Sequence, residues 1–229
     1  MSPGQRIITI DGPAGAGKST LARALARRMG WSYLDTGAMY RAVALAVHEA
    51  GVDPSDEQAV ERIVSGLNLD VSLDRETTRV FLSDLDVTDL IRAPQISALA
   101  SAVSALPAVR RALVDHQRRI GDRGGIVAEG RDMGTVVFPE AGVKFFLTAS
   151  LEERARRRFE ELRLAGSEET PERVMKDMAN RDRADSSRDL APLRPADDAI
   201  AVDSTAMSID SVLDFMLARI RSEPGRAFF

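Results

Sequence analysis

Arg6-Ile7-Ile8-Thr9-Ile10-Asp11, then Gly12-Pro13-Ala14-Gly15-Ala16-Gly17-Lys18-Ser19-Thr20, then Leu21, Leu25 and Met29 at helical spacing: this run near the start of the chain carries the fold. Its β-branched opening predicts a strand over 6–11, its close a helix over 18–29, and the glycines between them a tight turn from one into the other. Gly12 to Ser19 fits G-x-x-x-x-G-K-[ST], and strand before, helix after is the setting that motif needs. Glycines let successive backbone N–H groups converge on phosphate oxygens, and the helix N-terminus adds partial positive charge. Lys18 then reaches the outer phosphates and Ser19 a Mg²⁺ ion, with Gly12 to Thr20 as the phosphate-binding segment. The plainer reading is a glycine-rich turn that binds nothing; the flanking strand and helix weigh against it.

Outward from this unit the alternation continues. Trp31 to Leu34 reads as a strand, Gly125 to Glu129 as another after the helix Pro107 to Ile120, and Val143 to Thr148 as a third before the helix Leu151 to Leu164. Ala199 to Asp203 and the helix Ser208 to Arg221 close the pattern. Strands alternating with helices predict an α/β P-loop fold, a parallel sheet flanked by helices on both faces. One stretch departs from it: Leu67 to Leu73 and Arg79 to Ser83 read as a hairpin around Asp74 to Thr78, inserted between helices. Glu223 to Phe229 reads as a frayed end.

Composition narrows the function classes. With 229 residues there is room for one sizeable core carrying smaller insertions. No cysteine is present, which removes disulfides, thiol chemistry and cysteine-bound zinc, and two histidines do not make a histidine metal cluster. A net charge of -4 argues against a nucleic-acid footprint over the whole chain, so local basic clusters answer to local anions. No apolar run nears the roughly 18 residues a membrane span needs, and Met1 to Gln5 lacks a secretory pattern. A cytoplasmic chain without membrane or nucleic-acid partner is the expectation.

Two charged segments follow predicted strands. Asp35-Thr36-Gly37-Ala38-Met39-Tyr40-Arg41 opens a helix at the carboxyl edge of the sheet, where α/β folds bind ligands. Asp35 or Thr36 serves either as a helix cap or as a ligand contact, and Arg41, one turn on, is placed to return toward an anion. Glu129-Gly130-Arg131-Asp132 brings charge to a sheet edge directly after a buried strand, the mark of a functional loop more than of a solvated turn. Further on, Arg154, Arg157 and Arg158 share one helix face, as do Arg181, Asp185 and Arg188. Such runs are usually solvated surfaces. Bracketing a connection near Gly166, they favour a phosphate clamp, and the aromatic interleaving of single-strand binders is missing.

The phosphate loop, Asp35 to Arg41, Gly130-Arg131-Asp132-Met133-Gly134-Thr135-Val136-Val137-Phe138-Pro139, the Arg181, Asp185, Arg188 set and Asp203-Ser204-Thr205, in this order, resemble bacterial cytidylate kinases over nearly the whole chain. The resemblance implies transfer of the γ-phosphate of ATP to CMP or dCMP. It implies a core (1–36, 103–150, 189–229), an inserted monophosphate-binding domain (37–102, with the hairpin) and a lid (151–188). By the same likeness Lys18, Arg131, Arg158, Arg181 and Arg188 act on the migrating phosphate, and Arg154 and Arg158 reach ATP. The CMP site would comprise Asp35, Thr36, Arg41, Ser101, Arg110, Arg131, Asp132, Arg181, Asp185 and Arg188. Arg41, Arg131 and Arg188 would hold its phosphate, Arg181 and Asp185 face its ribose, and Ser101, Arg110 and Asp132 read cytosine. Ser19, and Glu129 through water, would hold Mg²⁺. Thr36 stands where serine is common in the family and Glu129 where aspartate is, each keeping the functional group. A monomer acting on ATP and CMP is implied. Two other readings stay open, a kinase for another small acceptor such as UMP and a P-loop binding switch. Against the switch, no Asn-Lys-x-Asp element is present, and the Asp-x-x-Gly match at Asp122 to Gly125 precedes its strand instead of following it.

Overall fold

A computed structural model describes residues 6–222; Met1 to Gln5 and the expected frayed end, Glu223 to Phe229, lie outside them. The chain runs β1 (Ile7–Asp11), α1 (Lys18–Met29), β2 (Ser32–Asp35), α2 (Thr36–Glu49), α3 (Glu57–Ser65), β3 (Leu69–Leu73), β4 (Thr78–Leu82), β5 (Leu85–Asp86), α4 (Pro94–Val103) and α5 (Pro107–Gly121). It continues with β6 (Ile126–Gly130), β7 (Val143–Thr148), α6 (Leu151–Leu164), α7 (Pro171–Ser186), β8 (Ile200–Asp203) and α8 (Ile209–Ser222). One five-stranded sheet has the order β2-β6-β1-β7-β8, and each of its pairings is parallel.

Every residue of β1 is buried, as a central parallel strand requires, and period two sorts its side chains between two cores. Ile7 joins Leu34, Ile126, Ala128 and the apolar faces of α2, α4 and α5. Ile8 and Ile10 join Val127, Phe145, Leu147 and the faces of α1 and α8. The sheet is thus covered on both sides. Thr9 and Asp11 follow Ile7 by the same alternation onto the α2 and α5 side, which decides what Asp11 meets.

Most predicted elements hold to within a residue or two. The strand expected over Trp31 to Leu34 begins one residue later for an identifiable reason. Gly30, at φ 68, ends α1 in the left-handed conformation, and the Trp31 N–H is taken by Ala26 O at 2.9 Å. The hairpin forms a separate three-stranded sheet, β3-β4-β5, whose third strand is two residues long and carries no readable periodicity. It is fastened along β2: Thr78 Oγ1 donates to Tyr33 O at 2.8 Å and accepts from Asp35 N at 2.9 Å, while Asp74 O accepts from Tyr33 N at 2.7 Å. The insertion thereby satisfies backbone groups that an edge strand would otherwise expose.

Candidate active site

Parallel strands deliver their carboxyl ends to one edge, where Asp11, Asp35 and Glu129 end or nearly end β1, β2 and β6. That edge opens into a cleft of ≈ 920 Å³. The chain leaves β1 hard against β7: a Cβ on Gly12, whose φ is 150, would stand 2.0 Å from the Leu147 carbonyl oxygen. Only glycine makes that turn. The loop then enters α1 through Gly17 with no side chain capping the helix and no acidic residue in its first turn. Its first N–H groups therefore converge on the cleft as an anion site. Lys18 crosses the loop, buried, and donates from Nζ to Pro13 O at 2.7 Å. Burial above all, then repulsion from Arg131, lowers Lys18 to about 7, with Glu129 pulling the other way.

Glu129 is buried beside it and accepts a hydrogen bond from the Tyr33 hydroxyl, with the Ser19 hydroxyl close by. Burial, then Asp35, pushes its carboxyl above the ordinary range. No group of three or more acidic, histidine or cysteine side chains placed for a metal occurs among the described residues. A hydroxyl and a carboxylate side by side at the loop mouth, all oxygen and few in number, fit Mg²⁺, which takes most of its ligands from phosphates and water.

Across the cleft, Asp35 takes the capping role its position suggested and also pairs with Arg41. Its Oδ1 accepts from Ala38 N at 3.0 Å, capping α2, and its Oδ2 accepts from Arg41 Nη2 at 2.8 Å. Thr36, also expected there, turns its hydroxyl to Glu129 O at 2.6 Å and ties α2 to β6. Asp185, on α7, accepts from Arg131 Nε at 2.8 Å and from Arg188 Nη2 at 2.6 Å, so one buried carboxylate aims two guanidinium groups from different parts of the chain. Burial would raise Asp185, but Arg131, Arg188 and Arg181 together hold it below the ordinary range. Arg181 is lowered to about 10, by burial first and then by Arg131. Cations gathered this closely around one cleft favour a polyanion.

Deeper in, Arg110 donates to Asp132 in a buried ion pair, with Tyr40 and Ser101 also lining the cleft. Burial pushes the Asp132 carboxyl up against the opposing pull of Arg110. The Arg110 guanidinium also lies 6.0 Å from the Tyr40 ring centroid. Tyr40 is raised to about 12, by burial and then by Asp132.

The predicted lid arginines divide. Arg154, expected at ATP, does not line the cleft; it lies buried behind the loop, donating to Ala149 O at 2.9 Å and Ala14 O at 3.2 Å and pairing with Asp182 at 2.7 Å. Its place is structural because α6 leaves the sheet beside the phosphate loop. Arg158 lines the cleft, paired with Glu161 at 3.0 Å. Arg157, from the same helix face, is fixed by Ser204 O at 2.8 Å and lines the cleft with Ser204 and Met207. Of the phosphate-loop segment, Gly12 and Pro13 lie outside the lining and Ala14 to Thr20 within it. Sequence reasoning passed over Tyr33, Tyr40, Ser204 and Asp11. Tyr33 lies just before the Asp35 to Arg41 motif and Tyr40 within it, and Asp11 sits directly before the phosphate loop, the one signal that pointed to it.

A sequence model described as cytidylate kinase matches residues 8–222. The chain is 50% identical over 210 residues to the cytidylate kinase of Carboxydothermus hydrogenoformans, covering 92% of this chain and 95% of that protein. With the cytidylate kinase of Salinibacter ruber it shares 48% identity over 225 residues, 96% and 99% of the two chains. Among solved structures, an uncharacterized protein from Eubacterium ventriosum superposes with a TM-score of 0.51 at 12% identity, covering 94% of this chain and 98% of that one, a likeness of fold alone.

Proposed function

The chain belongs to the cytidylate kinase family, and from that premise we propose that the cleft transfers the γ-phosphate of ATP to CMP or dCMP, giving ADP and the nucleoside diphosphate. The observation that carries the reading is the meeting, in one cleft, of the phosphate loop with the Asp185-held arginines and the buried Arg110–Asp132 pair. The loop N–H groups and Lys18 take the donor phosphates. Arg41, Arg131 and Arg188 take the acceptor phosphate, with Arg181 and Asp185 toward the ribose. Arg158 and Arg157 close on the donor from α6.

The acceptor oxygen needs no general base. A phosphate monoester loses its second proton near about pH 6, so the nucleophile is already anionic at neutral pH. What remains is positioning and charge, and the cations gathered between loop and α7 supply both. Mg²⁺, held by Ser19 and through water by Glu129, would neutralise charge on the donor phosphates. We read 37–102 as the acceptor-binding part and 151–188 as a lid that excludes competing water, in a monomeric cytoplasmic enzyme.

Base choice falls to Asp132. Cytosine offers an N4 amino donor where uracil presents an O4 acceptor, so a carboxylate held by Arg110 accepts from the first and repels the second. A panel of CMP, dCMP, UMP and AMP with ATP and Mg²⁺, followed by ADP release, tests the reading. CMP and dCMP should lead by about tenfold or more over UMP, the range for one base-edge contact. Equal use of all four, or nucleotide hydrolysis independent of any acceptor, overturns it.

A further inference from the structure

Asp11 belongs to none of the roles above, yet it is one of the most committed side chains in the molecule. It is buried on the α2 and α5 face of β1, and it does not line the cleft. Its Oδ1 accepts from Met133 N at 2.8 Å and its Oδ2 from Gly134 N at 2.7 Å. These are consecutive backbone donors, and they open a single wide helical turn, Met133–Val137. The turn starts at Asp132, whose carbonyl accepts from Val136 N at 2.9 Å and Val137 N at 3.2 Å. At its other end Arg118, on α5, donates from Nη2 to Val136 O at 2.8 Å and from Nε to Val137 O at 3.2 Å. A carboxylate therefore holds the donor end of this turn and a guanidinium its acceptor end, each by a charge-assisted bidentate contact.

We propose that Asp11 and Arg118 are positioning residues for acceptor-base selection: they clamp the Met133–Val137 turn from outside the cleft and so fix where Asp132 presents its carboxylate to the base. The inference deepens the proposed function, on which it rests. Asp11 also immediately precedes Gly12, so the strand that launches the phosphate loop is the strand that anchors the base-reading loop. The spacing between donor phosphate and acceptor base is then set by β1 itself. Space around the clamp is tight, since a Cβ on Gly134 would lie 3.1 Å from both Thr9 Oγ1 and Lys144 Cδ and 3.4 Å from Asp11 Oδ2.

The test is the steady-state kinetics of the full chain with CMP and UMP at saturating ATP, then with ATP varied at saturating CMP, for wild type, Asp11→Asn and Arg118→Met. An asparagine oxygen can accept from one of the two N–H groups while its amide faces the other, so Asp11→Asn should lower the CMP to UMP ratio of kcat/KM about tenfold, mostly through KM for CMP, with KM for ATP changed less than about twofold. Arg118 is exposed and its substitution leaves the core intact, so Arg118→Met should shift the ratio the same way by about threefold. An unchanged ratio in both, or an equal rise in KM for ATP and CMP, overturns the clamp and leaves a structural role only. If thermal melts show Asp11→Asn unfolded, Arg118→Met decides alone. Failure of the functional reading shows separately, as absent CMP use by the wild type, and removes the proposal with it.

Discussion

Lys18 is a buried ammonium that donates to the carbonyl of Pro13, in surroundings that already lower its pKa to about 7. Such a group contributes little to folding, and under the proposed function its value lies in the charge it brings to a phosphate. Lys18→Ala should therefore reduce kcat about a hundredfold or more, the usual effect of losing one electrostatic stabiliser, with the thermal midpoint preserved. A folded variant with near wild-type kcat would remove Lys18 from the chemistry. Asp11 is charged at a cost to stability. Burial raises it to about 6 from 3.8, against the Gly134 and Met133 N–H groups and Lys18 and aided by Asp132. Between those values the folded chain keeps a proton that the unfolded chain releases, so this group's contribution to stability falls as pH rises through the window. The loss reaches about 2 to 3 kcal/mol above it. The urea stability of wild type relative to Asp11→Asn should thus decline from about pH 4 to about pH 7 by that amount. A flat difference would show Asp11 titrating as an ordinary carboxylate.

At the scale of elements, α6 and α7 stand apart from both cores. Their shared apolar cluster is Ala155, Val174 and Met178, with Ala14, Leu151, Phe159 and Leu162 packed against it. The exposed pairs along them, Arg156 with Glu153 and Glu160, Arg158 with Glu161, Arg173 with Asp177, add little, because solvent screens them. Buried Arg154, bridging Ala14 O and Asp182, is what seats the pair on the phosphate loop. Backbone amides of 151–188 should accordingly exchange through local opening, faster than those of β1 and β7. A bisubstrate analogue joining adenosine to cytidine through phosphates should slow that exchange, because its anions hold Arg158, Arg181 and Arg188 at once. Unchanged exchange with the analogue bound would count against a closing lid.

For the whole molecule, the parallel sheet is shared by two cores, Ile7 serving one and Ile8 and Ile10 the other, so neither can melt alone. Ile8→Ala should destabilise by about 2 to 5 kcal/mol while chemical denaturation, followed by both tryptophan fluorescence and circular dichroism, keeps one coincident transition. Separate transitions for the two probes would contradict the shared sheet. Much of this architecture was legible because it is local. Gly12 to Ser19 between a β-branched run and a helical stripe, and strands alternating with helices thereafter, need only neighbours in the chain to be read. Asp35 to Arg41 was legible as the opening of a helix after a strand, and Glu129 to Asp132 as a charged strand end, for the same reason. What the sequence could not determine is which side chains find each other across the sheet. Arg154, on the same helix face as Arg157, turned inward to Ala14 and Asp182 because α6 departs beside the phosphate loop. Asp185 took Arg131, and Asp11 took Met133 and Gly134, over separations no periodicity encodes. The chain alone specified where the anion site forms, since an anion site at a helix start is built from consecutive backbone groups. Which carboxylates hold the arginines, and which hold the Met133–Val137 turn, was decided only in the folded state, where buried charges must pair with whatever groups the strand register brings within reach.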